Sequence, residues 1–248
     1  MQILAQLGGG AFTLACLLIG LRLLLLSART RHLPELLVGS GLFLMAGVGY
    51  PLSSVARQVP GLAPETRALL GCLGGLFVLI GVVSNTAFIW LLFRRDTAWG
   101  QALLTSVTLI GVGLFAAESL AGSWDTGSAF FWPGIPAMIM LSMGWGFVEC
   151  AHYHGLLRRR MRLDLADPVV TDRFRLYAAA TLLGFITNAV GWIFWWMRLE
   201  MLTDPVGAPL LAVLGAGSAV FMWLAFVPPQ AYLAHVQARA RSQQPVTS

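Results

Sequence analysis

Seven long apolar segments separated by short polar connections limit what this chain can fold into more than any other feature. A bilayer core about 30 Å thick needs roughly 20 apolar residues per helix. Residues 3–27, 36–56, 68–93, 99–121, 130–157, 174–197 and 207–236 each meet that requirement. Only 11% of the residues are charged and the mean hydropathy is +0.75, whereas soluble proteins carry about 25% charged residues. The expected fold class is therefore all-α, a polytopic integral membrane protein built as one seven-transmembrane helix bundle over residues 1–236. Residues 237–248 are expected to form a short flexible tail on the cytoplasmic side. The 248-residue length leaves no stretch for a further soluble domain, which needs at least about 50 residues, so no attached output domain is expected. The first apolar run outlasts the apolar core of a signal peptide and is expected to act as its own anchor.

Charge gives the chain a direction. All 16 basic residues are arginines. The first, third and fifth connections and the tail hold Arg29, Arg31, Arg94, Arg95, Arg158, Arg159, Arg160, Arg162, Arg173, Arg175, Arg239 and Arg241. The second and sixth connections hold only Arg57, Arg67 and Arg198, and the fourth holds none. Basic residues concentrate on the cytoplasmic side of membrane proteins, so the N-terminus is expected outside and the C-terminus in the cytoplasm, across a bacterial-type inner (plasma) membrane. The pI of 9.7 invites a nucleic-acid reading, but these arginines flank apolar spans and no polar domain carries them, so no nucleic-acid partner is expected. Arg158, Arg159, Arg160, Arg162, Arg173 and Arg175 form the densest basic connection. It is a candidate contact for anionic lipid or for a separate cytoplasmic signalling partner. The absence of lysine has a second consequence: retinal held as a lysine Schiff base is excluded.

Local chemistry marks the breaks. Pro34 and Glu35 suit the first turn of a helix, where a missing N–H costs nothing and a carboxylate meets the positive dipole end. Thr171-Asp172 is expected to cap the sixth span, and Pro228-Pro229 to kink the seventh. Gly71 and Gly75 form a small-residue notch suited to helix packing within the bundle. Trp124, Trp132, Trp195 and Trp196 are expected as anchors at the outer interface, with Trp99 at the inner one. Cys16, Cys72 and Cys150 lie inside apolar segments with no ligand spacing and read as small core residues.

Ionisable groups within spans are costly in lipid and are the first functional candidates. Glu149 lies about two turns inside the fifth span, and His152, three residues on, shares its helix face. His154 points elsewhere, about 140° round the helix from Glu149. Di-metal carboxylate bundles need the Glu-x-x-His pattern twice with two more carboxylates. Here it occurs once, and Glu118 belongs near the opposite membrane face, where a solvated end position competes with a functional one. His32, His152, His154 and His235 all fall on the expected cytoplasmic side, and His152 and His235 reach similar depths as candidate metal or haem ligands. Asn85 and Asn188 must find polar partners at depth because lipid offers none. They serve either as interhelical glue or as the lining of a polar cavity.

These residues favour a receptor-like or sensor-like membrane protein that binds a small ligand or chromophore among helices 3, 5, 6 and 7 and signals through a separate partner. Candidate ligand or proton sites are Glu149, His152, Asn85, Asn188 and Glu118. Two other readings stand beside it: a small-solute secondary transporter coupled to protons through Glu149, and a metal- or haem-binding enzyme using His and Glu on the cytoplasmic side.

Overall fold

A computed structural model describes residues 2–124, 130–161, 163, 165–199, 201 and 204–242. Among these residues there are eight successive helices and no strand, and the first seven are long and apolar enough to cross a membrane. They are α1 (Gln2–Thr30), α2 (Leu33–Gln58), α3 (Pro64–Phe93), α4 (Ala98–Ala121), α5 (Phe131–Met161), α6 (Pro168–Trp196) and α7 (Gly207–Phe226). The shorter α8 covers Gln230–Ser242. The lengths and apolar composition fit a multi-pass membrane protein.

Helix ends follow local chemistry, with two departures from expectation. Pro34 occupies the first turn of α2 with Glu35 beside it. At α6, however, the cap is Asp167 rather than Thr171-Asp172: its side chain accepts the Val169 N–H at 2.8 Å, and Pro168 opens the helix. Thr171 already lies within the helix, its hydroxyl donating to the Asp167 carbonyl at 2.9 Å. Pro228-Pro229 breaks the seventh segment instead of kinking it, so α7 ends at Phe226 and α8 starts at Gln230. Two adjacent rings remove two donors and crowd the preceding turn, more than one kink absorbs.

Contacts between helices alternate in direction along the chain. Across α2 and α3, Gly41 faces Asn85 and Gly49 faces Val78; across α5 and α6, Gly146 faces Thr181 and Gly144 faces Phe185. By contrast, α3 and α5 run parallel, pairing Asn85 with Ser142 and Arg94 with Glu149. The connections α1–α2, α3–α4 and α5–α6 and helix α8 therefore share one end of the bundle, the arginine-rich end.

Within α2, residues Gly41–Gly49 wind as a π-helix, and α3 packs closely against them. A Cβ added to Gly81 would lie 2.6 Å from the Met45 backbone nitrogen, so the close approach of α2 and α3 depends on glycine there. The Gly71/Gly75 notch is filled from within the chain: both glycines face Trp124. Trp124, expected as an interface anchor, is half-buried against Phe115 and Phe131, with ring centroids 5.1 and 5.5 Å away. Trp195 and Trp196 are exposed.

One apolar cluster centres on Ile19, Ile89, Trp145 and Tyr177, and a second on Val78, Phe131 and Ile135. Helix α4 sits at the periphery and turns Leu109, Ile110 and Val112 outward. Cys16 and Cys150 are fully buried and Cys72 half-buried.

Candidate functional site

Asn85, in the second half of α3, is buried and joined to two other helices. Its Nδ2 donates to the Ser142 hydroxyl of α5 at 2.9 Å, and its Oδ1 accepts from the Tyr177 hydroxyl of α6 at 3.2 Å. The Thr86 hydroxyl adds a contact to Ser142 Oγ at 3.0 Å. Such a network forms because a primary amide at this depth has no solvent to turn to. It fixes the spacing of α3, α5 and α6 around a common centre.

Beside that network lies a cavity of about 100 Å³ whose walls come from α1, α2, α3, α5, α6 and α7. Most of the lining is apolar, including Phe12, Met45, Ile139, Met143 and Met222. Its polar lining groups include Asn85, Thr181, Asn188 and Ser218, and no charged residue or histidine is among them. The hydrogen bonds of these groups define what the cavity presents. Thr181 donates to Tyr177 O, Thr187 to Leu183 O at 2.8 Å, Ser218 to Ala180 O at 3.3 Å and Asn188 Nδ2 to Gly184 O at 2.9 Å. The Thr181, Thr187 and Ser218 hydroxyls have therefore each spent their one proton on the backbone and keep acceptor capacity on oxygen. The cavity is a neutral, mostly apolar chamber: its threonine and serine hydroxyls offer acceptors, and the Asn188 amide, with one N–H engaged, can both accept and donate.

Asn85 and Asn188 thus share one cavity, while Glu149, His152 and Glu118 lie elsewhere. Glu149 is buried near the arginine-rich end, where Oε1 sits 2.6 Å from Arg94 Nε and accepts the Trp145 indole N–H at 3.1 Å. The Arg94 guanidinium also lies 5.2 Å from the centre of the Trp99 ring, which packs 5.5 Å from the Trp145 ring. The hydrogen bond to Glu149 is the largest influence on Arg94 and, with the carboxylate charge, raises its pKa above the ordinary arginine value. His152 is exposed on the same helix.

Glu118 is completely buried near the opposite end. Its Oε2 accepts the backbone N–H groups of Phe130 and Phe131 at 2.8 and 3.0 Å, and its Oε1 accepts the Ser123 hydroxyl. A carboxylate in this place satisfies orphan donors and meets the positive end of the α5 dipole. Glu118 caps the helix that follows it in the chain, a role its position near the end of α4 does not suggest.

The four histidines separate. His32, His152 and His235 are exposed. The half-buried His154 ring donates Nδ1–H to the Thr171 carbonyl at 2.9 Å, tying α5 to α6. His154 and His235 line a second cavity, at the arginine-rich end, which His152 does not reach. Among the described residues no three His, Cys, Asp or Glu side chains gather as a metal site. Of the basic connection, Arg158 and Arg175 line that second cavity. Arg159, Arg160 and Arg173 do not line it, and Arg162 falls outside the described residues.

Sequence reasoning missed Arg94, Trp145, Ser142 and Tyr177 as site residues. By position Arg94 reads as a topological charge, although an arginine ending one span and a carboxylate near the same end of another are the visible signal for an ion pair. Ser142 and Tyr177 carry no signal apart from the asparagine they serve. Compared with protein-family models, curated proteins and solved structures, the chain matches none of them.

Proposed function

We propose that this is a receptor-like or sensor-like multi-pass membrane protein that binds a small, neutral, mostly apolar molecule carrying a hydrogen-bond donor. Its binding site is the chamber beside Asn85, and it signals through a separate partner. The protein sits in the plasma membrane with its N-terminus outside and its arginine-rich end in the cytoplasm. The observation that carries the ligand reading is the chamber's lining: six helices enclose an uncharged space whose hydroxyls and amide offer acceptors. Its volume of about 100 Å³ is of the order of the roughly 150 Å³ cavity that admits benzene in an engineered protein. A site contributed by six helices is also suited to sensing, because occupancy bears on how all of them pack.

Less supports the two other readings. A proton carrier must bind and release its proton beside the solute, whereas Glu149 is outside the chamber and held by Arg94 and Trp145. A metal or haem enzyme would require His152 and His235 to converge with other ligands, and only His235 lines the second cavity.

Phenol, a ring with a single hydroxyl donor, is a suitable probe for the full-length protein in detergent. It is expected to raise the melting temperature in a saturable manner, and benzene to do so less. Gly184→Leu, which places a side chain in the chamber, should abolish the effect, and Asn188→Leu should weaken it. Equal responses from the parent protein and Gly184→Leu would show that the chamber is not the binding site.

A further inference from the structure

The π-helical stretch of α2 ends at Tyr50, whose backbone N–H donates to the Met45 carbonyl five residues back. In an α-helix two residues five apart point about 140° away from each other. A turn closed by bonds between residues five apart is wider and turns Met45 and Tyr50 towards one face, and such turns are frequent at functional sites. Pro51 follows and supplies no N–H to the turn before it. Met45 and Tyr50 both line the apolar chamber.

Tyr50 is half-buried, and its hydroxyl makes no hydrogen bond with another described residue. The other hydroxyls of the lining are committed: Thr181, Thr187 and Ser218 give their protons to backbone carbonyls, and Tyr177 gives its proton to Asn85. A phenol O–H in apolar surroundings ordinarily has a partner, because leaving the bond unmade is costly there. The Tyr50 ring itself is braced. Trp132 of α5 packs against it with centroids 6.3 Å apart, and the Arg57 guanidinium lies over the Trp132 ring at 4.6 Å.

We propose that the chamber's ligand carries a carbonyl oxygen as well as a donor, and that Tyr50 selects for it by donating its hydroxyl proton to that oxygen. The class is that of neutral carboxamides and lactams, in which an N–H and a carbonyl lie side by side on a mostly apolar frame. The ligand N–H meets the acceptor hydroxyls of the threonines and Ser218, and its carbonyl meets Tyr50. A carboxylate is a poor occupant, since no charged residue lines the chamber to neutralise it. The assignment rests on the chamber being the ligand site and adds to it the group that Tyr50 recognises.

The test uses two probes of nearly the same shape, benzaldehyde and styrene, which differ by a carbonyl oxygen in place of a methylene carbon. The chain has no lysine with which the aldehyde could condense. Each probe is titrated against the full-length protein in detergent, and the carbonyl stretch of isotope-labelled benzaldehyde is read by infrared difference spectroscopy. Tyr50→Phe should weaken benzaldehyde about fivefold, the loss of one neutral hydrogen bond, and leave styrene unchanged. The carbonyl band of bound benzaldehyde should lie below its position in a hydrocarbon solvent, and Tyr50→Phe should return it towards that position. Asn188, whose amide keeps a second N–H, is the other donor to separate. Asn188→Leu should retain the shifted band at saturating probe, which identifies Tyr50 even where Tyr50→Phe does not fold. The proposal is overturned if the band of the parent complex is unshifted, if Asn188→Leu abolishes the shift, or if Tyr50→Phe weakens both probes equally. In each of those cases, styrene binding that Gly184→Leu abolishes would leave the chamber standing as a site. Styrene binding indifferent to Gly184→Leu would remove the chamber and this assignment together.

Discussion

Arg94, immediately after α3, and Glu149, well inside α5, form an ion pair at 2.6 Å, with the arginine side chain 36% exposed and the carboxylate 6%. The asymmetry in burial decides what substitution does. Glu149→Gln leaves a partly solvated arginine, whereas Arg94→Gln leaves a buried carboxylate with the Trp145 indole as its remaining bonded partner. Arg94→Gln should therefore be the more damaging change. A double-mutant cycle by thermal unfolding in detergent should give a coupling of about 1 kcal/mol, because the exposed partner is screened. A coupling indistinguishable from zero would mean that the pair does not hold α3 to α5.

Glu118 should behave as a helix cap. Glu118→Ala strips the acceptor from the Phe130 and Phe131 N–H groups and should cost about 3 kcal/mol, the range for bonds to a charged group left unmade. Glu118→Gln keeps one acceptor for the Phe130 and Phe131 N–H groups while losing the favourable charge at the dipole end and the second acceptor that faces Ser123, and should cost less, about 1 to 2 kcal/mol. Unfolding measurements that gave the two variants equal stability would remove the capping role.

The close approach of α2 and α3 predicts a contrast between two glycines. A methyl group at Gly81 meets Met45 backbone, so Gly81→Ala should force the helices apart and cost about 2 kcal/mol. Nothing lies within 4 Å of a Cβ at Gly113, and Gly113→Ala should be neutral or stabilising by about 0.5 kcal/mol. Melting temperatures of the two variants, measured side by side, test the packing directly.

Tyr232 lies on α8, outside the apolar helices, and burial raises its pKa above the ordinary tyrosine value, reinforced by its bond to Asp172 and opposed by Arg175. The protonated phenol is the form that donates, so the attachment of α8 is fully present below the ordinary tyrosine pKa and is lost as pH rises through the raised value. The difference in tyrosinate absorbance between the parent and Tyr232→Phe should accordingly show a titration above pH 10. A difference titration centred below that value would contradict the geometry.

The apolar segments, their number and the arginine pattern were legible in the sequence because hydropathy and charge act locally: each span must be apolar along its own length whatever its neighbours do. Pro34, Glu35 and the glycines of the third span announced themselves for the same reason. Pairing across helices was not legible. Glu118 reads as a residue near a helix end until the fold brings the start of α5 onto it. Glu149 reads as an isolated intramembrane charge until Arg94 meets it. Asn85 had to have partners, since lipid supplies none, but only the packing of α3, α5 and α6 names Ser142 and Tyr177. The sequence by itself determined an all-helical chain with seven spans' worth of apolar length. The tertiary structure decided which polar groups neutralise one another and where space remains, because those depend on distances between segments that are far apart in the chain.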